Sequence, residues 1–218
     1  MATLATSANP EKSIPWPRIG WRVMALLSFA SGVWGLYVSV AYPQLGDHYA
    51  RMFAVPIIAF VHTVGGGLAS LIGPLQFHAG FRRRHLGLHR WLGRIYLIAV
   101  GLSALGGLYL SPASLASNTF GIAFIALALA WLYTGWNAYA TIRRGDVAGH
   151  RRWMIRNFAL TYAAVTLRIE MPLCMLAGMG TVLALNVVGW TCWIPNLFAV
   201  EWWIRRTEPG GRQQVRLV

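Results

Sequence analysis

HRRWMIRNFALTYAAVTLRIE, residues 150–170, is long and apolar enough to approach a bilayer crossing, yet it carries His150, Asn157, Thr161 and Arg168. On a helical wheel at about 100° per residue, Met154, Asn157, Thr161, Ala164 and Arg168 all fall within about 40° of His150. Lipid cannot hydrogen-bond such groups, so this face must turn towards protein or water. The stretch therefore predicts a membrane-spanning helix inside a bundle, with its polar stripe inward. Glu170 falls on the opposite side of the wheel, near the outer interface, and is expected to be solvated there.

Composition extends the reading to the whole chain. Charged residues make up 11% of the 218 and hydrophobic residues 56%, whereas a soluble domain carries about 25% charged residues. Apolar runs near the roughly 20 residues needed for a span occur over Val23–Tyr42, Phe53–Phe77, Trp91–Leu110, Phe120–Ile142, Trp153–Leu176 and Thr181–Ile204. The fold class is an all-α integral membrane bundle of six transmembrane helices. Residues 1–22 form an N-terminal tail, 23–204 a single transmembrane domain and 205–218 a basic C-terminal tail.

The net charge of +13 sorts by side of the membrane, so nucleic acid is not needed to explain it. Lys12, Arg18 and Arg22 precede the first run. Arg82, Arg83, Arg84, Arg90 and Arg94 surround the connection from run two to three. Arg143, Arg144, Arg151, Arg152 and Arg156 surround that from four to five, and Arg205, Arg206, Arg212 and Arg216 follow run six. The opposite loops carry only Arg51. Basic short loops stay inside, which sets both termini in the cytoplasm, with run one as an uncleaved anchor. Cys174 and Cys192 sit at depths about 10 Å or more apart, too far for a disulfide.

Two polar layers emerge from the depths. His62, about 13 Å into run two at 1.5 Å per residue, lies level with Arg168 and Asn186. Below it, Gly65, Gly66, Ala69 and Gly73 form a small-residue stripe that lets another helix, or a flat cofactor, approach closely. Pro74 marks a kink or the nearby inner end. The inner layer rests on two similar segments, HRWLGR (89–94) and HRRWMIR (150–156), which place His89 and His150 at one depth on two helices. His85 shares the face of His89 if that segment is helical, and His78, Asn137 and Asn157 lie nearby in depth.

Two histidines from different helices at one depth are what a bis-histidine b-type haem requires, with one imidazole on each axial face of the iron. Arg90, Arg151 or Arg152 would anchor its propionates. The same constellation would also take a quinone head group, a lipid phosphate or a metal ion. The plain alternative is a pair of interfacial histidines beside positive-inside arginines. A second haem at His62 lacks an intramembrane histidine partner at that depth. Phosphate-loop, nucleophile-elbow, zinc-helix and paired-cysteine motifs do not occur.

The segments HTVGGGLASLIGPLQF, HRWLGRIYL and GHRRWMIRNFALTYAAVTLRI resemble a bacterial membrane-protein family known as domain of unknown function 2306, over roughly residues 50 to 200. The resemblance implies a multi-helix inner-membrane protein with His62, His89, His150 and Arg168 at motif positions, and no established activity. The layout is also loosely similar to cytochrome b561-type haem proteins. Two functional classes follow. One is a b-type haem or quinol-linked electron-transfer module with His89 and His150 as axial ligands. The other is a non-redox small-solute transporter or accessory membrane subunit, using the face His150, Asn157, Thr161 and Arg168.

Overall fold

The computed structural model describes residues 18–41, 53–111 and 118–207, all helices and short turns. His48, Arg51, Lys12 and most of both tails lie outside the described residues. The helices are α1 (Arg18–Ala41), α2 (Pro56–Phe77), α3 (Ala79–Arg84), α4 (Leu86–Leu110), α5 (Asn118–Arg143), α6 (Val147–Thr161), α7 (Ala163–Leu176), α8 (Thr181–Thr191) and α9 (Ile194–Thr207). Together they make six stretches long and apolar enough to cross a membrane, with α6–α7 and α8–α9 each forming one. The six expected runs are all present, several beginning a few residues earlier than their apolar stretches because polar residues cap and open the helices.

Two spans expected as continuous helices are broken. Pro195 has no N–H to give the Thr191 carbonyl and its ring crowds that group, so α8 ends at Thr191 and α9 restarts beyond Cys192 and Trp193. In the fifth span the interruption falls at Tyr162. The Thr161 hydroxyl bonds back to the Asn157 carbonyl at 3.0 Å, a contact that competes with the helical ladder and bends it. Pro74, by contrast, is held within α2, which ends three residues later. The basic connection after α2 folds into α3, whose N-cap is His78: its Nδ1 accepts from the Phe81 amide at 2.9 Å. Asp146 caps α6 by accepting from Gly149 N at 2.7 Å, after a turn in which Gly145 takes φ 80°.

Packing follows the small residues. Helix α2 lies between α1 and α4, α5 touches α4, α6 and α8, and α9 closes against α6. A Cβ on Gly65 would stand 2.8 Å from the Ala99 carbonyl and 2.9 Å from Ser103 Cβ, while one on Gly67 would meet the Gly32 carbonyl at 3.0 Å. Gly73 lies under the Phe158 ring, and Ala69 is fully buried. The stripe therefore serves helix packing on two sides of α2. Gly65→Ala is expected to cost about 1–3 kcal/mol by overpacking, read as a lower melting temperature in detergent. Gly66→Ala meets only the Ser103 hydroxyl, at 3.3 Å, and is expected to fall within about 0.5 kcal/mol of the parent. Cys174 and Cys192 are free thiols.

Candidate functional site

The polar stripe of α6 points into the bundle and closes on itself. Asn157 is fully buried and Thr161 nearly so. Asn157 Nδ2 donates to the Trp131 carbonyl and to Thr134 Oγ1, both at 2.9 Å. Its Oδ1 accepts the Tyr96 hydroxyl at 2.8 Å. Thr161 Oγ1 accepts the Trp131 indole N–H at 3.0 Å and lies 2.8 Å from the Tyr96 oxygen. Three helices, α4, α5 and α6, are thus joined by a network whose polar atoms are all used. Sequence reasoning placed Asn157 and Thr161 but missed Tyr96, Trp131 and Thr134. Tyr96 lies seven residues after His89, hence on the same face of α4, and that spacing was the available signal.

Beneath this network, at the end carrying the arginine-rich connections, the structure gathers the histidine layer. His89 is the fourth residue of α4 and His150 the fourth of α6. His150, Arg82 and Arg90 all stand near enough to act on His89 electrostatically. His150 Nδ1 lies 2.8 Å from the Ala138 carbonyl. A carbonyl only accepts, so Nδ1 carries a proton. His89 Nδ1 is buried without a hydrogen-bond partner in the protein. Arg151 and Arg152 follow His150 half-buried, while Arg90 is exposed. His85 stands at the junction of α3 and α4 and is exposed, so it does not join His89. His78 packs its ring 5.0 Å from that of Trp21 on α1.

The second polar layer lies towards the other end. His62 Nδ1 donates to the Ser103 carbonyl at 2.8 Å, and Ser103 Oγ returns a bond to the His62 carbonyl at 2.8 Å. The ring rests against α4, where a Cβ on Gly107 would be 3.2 Å from His62 Cε1. Arg168 reaches across to α1, donating to Ser31 Oγ at 3.1 Å and to the Ala164 carbonyl at 2.6 Å. Its charge is felt at His62.

Two carboxylates depart from expectation. Glu170 is not left to solvent: its Oε2 accepts from the Thr191 hydroxyl at 2.7 Å, tying α7 to α8. Glu201 on α9 pairs with Arg156 on α6 through both guanidinium Nε and Nη2, the latter at 3.0 Å. The same guanidinium sits 4.7 Å from the centroid of Trp153. Arg156 is therefore a clamp between helices rather than a member of a free basic cluster. With the two side chains 18% and 28% exposed, Glu201→Gln is expected to cost about 1 kcal/mol. Thermal melts should show that loss shrinking as salt is raised.

Among the described residues no three His, Cys, Asp or Glu side chains gather as a metal-binding group, so a metal held there would rest on a histidine pair. Residues 57–204 match the family described as predicted membrane protein, DUF2306. No curated protein and no solved structure matches the chain.

Proposed function

We infer function from the premise that the chain belongs to the DUF2306 family of predicted membrane proteins, and we propose a b-haem module with His89 and His150 as its axial pair. One observation carries the reading. Two histidines each occupy the fourth position of a helix, on α4 and α6, with His150 near enough to act on His89. His150 also has the second-sphere feature of a metal-bound imidazole, an Nδ1–H held by a backbone carbonyl.

The chain's own residues then divide the work. The Ala138 carbonyl fixes the tautomer and ring plane of His150. Arg90, Arg151 and Arg152 supply positive charge for two propionates. Asn157, about 10 Å along α6 from His150, acts as a positioning residue by locking α6 against α4 and α5. When bound, the haem supplies one-electron chemistry. His62 and Arg168 lie outside this pair, in the other polar layer, and the reading needs one haem. The sorting of arginines supports a bacterial inner membrane with both termini and the haem layer on the cytoplasmic side.

The test is a reduced-minus-oxidised spectrum of the protein in mild detergent, with haem quantified as pyridine hemochrome. About one b-type haem per chain is the expected result. A protein that stays colourless after haem supplementation overturns the reading. It would leave the second one, a non-redox accessory membrane subunit, which is favoured by the saturated Asn157–Thr161 network: that face orders a helix interface instead of lining an open solute path.

A further inference from the structure

Three buried nitrogens near the basic end have no hydrogen-bond partner in the protein: Trp21 Nε1 on α1, Gln76 Nε2 on α2 and His89 Nδ1 on α4. Gln76 is only 6% exposed, and an unmet amide donor in such a place is costly. It lies in the seam between α2 and α4, with its Oε1 3.4 Å from where a Cβ on Gly93 would stand. His89 precedes Gly93 by one turn on the same face of α4.

The same seam opens to lipid further along. There a groove is lined by apolar side chains, including Phe60, Val64 and Leu68 of α2 and Ile95, Ile98 and Leu102 of α4. Gly65 also lines it, three helical turns from Gln76 and on the same face of α2. An apolar groove and an unmet polar donor thus lie along one helix interface, Leu68 and Gln76 standing about 12 Å apart on α2. That is the outline of an amphiphile with a long chain and an oxygen-bearing head.

We infer that the α2–α4 seam binds a prenylated quinone, its chain in the groove and one ring oxygen accepting from Gln76 Nε2. His89 Nδ1–H, one turn from Gly93 on α4, is the further donor for the head group. A phospholipid fits less well. The unmet donors on α2 and α4 are an amide and an imidazole, both able to serve while neutral, whereas Arg83, Arg84 and Arg90 are exposed and Arg82 is half-buried. A phosphodiester drawn into the seam would exchange water and arginine for neutral partners, while a quinone carbonyl brings no charge to desolvate. The inference stands on the seam alone and does not need the haem.

The experiment is a calorimetric titration of the full-length protein in detergent, haem-free and haem-supplemented. The probe is a benzoquinone bearing a short isoprenoid tail, compared with the tail alcohol and with phosphatidylglycerol. Saturable quinone binding is expected in both preparations. Gln76→Met, which keeps length and removes the donor, should weaken it about tenfold. Ile98→Trp, which narrows the groove from its lipid-facing rim, should weaken it at least as much. Both variants should elute and melt like the parent; if Gln76→Met fails to fold, Ile98→Trp carries the test. Unsaturable partitioning overturns the inference, as does binding indifferent to whichever variants fold or displacement of the quinone by phosphatidylglycerol at equal affinity. Quinone binding without any haem would uphold this inference while removing the haem reading, and the converse separates them equally.

Discussion

His150→Ala is expected to abolish the haem difference spectrum outright, and His89→Ala to do the same, while His62→Ala leaves it in place. His89 and His150 would be the two residues that hold the haem, and no other histidine among the described residues is placed to substitute. His78 spends Nδ1 on capping α3, His85 is exposed beyond the start of α4, and His62 is bound to Ser103 in the other layer. His62→Ala removes one interhelical contact and should be felt only in stability, by about 1 kcal/mol. A spectrum that survives His150→Ala, or vanishes with His62→Ala in a protein that still melts cooperatively, would refute the pairing.

Asn157→Leu is expected to give the largest loss of stability, about 2–4 kcal/mol, since interhelical hydrogen bonds in bilayers are worth about 0.6–1.7 kcal/mol each and Asn157 makes three. The substitution also leaves Thr134 Oγ1 and the Trp131 carbonyl facing a hydrocarbon branch. Tyr96→Phe, which removes one hydroxyl from the same network, should cost about 1 kcal/mol. The double variant should lose less than the sum, because both changes delete the Tyr96–Asn157 bond. Thermal unfolding in detergent measures all three. An unchanged melting temperature for Asn157→Leu would mean that the network is ornamental.

The spans and the inward stripe were legible because each is written in a period: runs of about 20 apolar residues for a crossing, and spacings of three, four and seven for a face. The packing role of Gly65, Ala69 and Gly73 was legible for the same reason, while Gly66 meets only the Ser103 hydroxyl. What carried no period was missed. Tyr96 and Trp131 look apolar inside a span, and their polar atoms count only once a partner from another helix arrives. Glu201 and Arg156 lie 45 positions apart, each among interfacial aromatics and arginines, so neither advertises the other. The break before α9 could have been read from Pro195, four residues past Thr191. The break at Tyr162 depends on a hydroxyl choosing a carbonyl, and composition does not record that choice. Of the site, the sequence yielded His89, His150, His62 and Arg168, but not Gln76, whose significance lies in having no partner.

The closed network also bears on biogenesis. The α6 half of the fifth span carries His150, Arg151, Arg152, Arg156, Asn157 and Thr161 within fifteen residues, too polar a segment to dwell alone in lipid. The acceptors and donors that its Asn157 and Thr161 require sit on α4 and α5, both of which leave the ribosome earlier. The fifth span is thus delivered to a membrane where its partners already wait, and reversing that order would strand it at the surface. The hydrogen bonds that hold the finished bundle together also dictate the sequence in which it can be assembled.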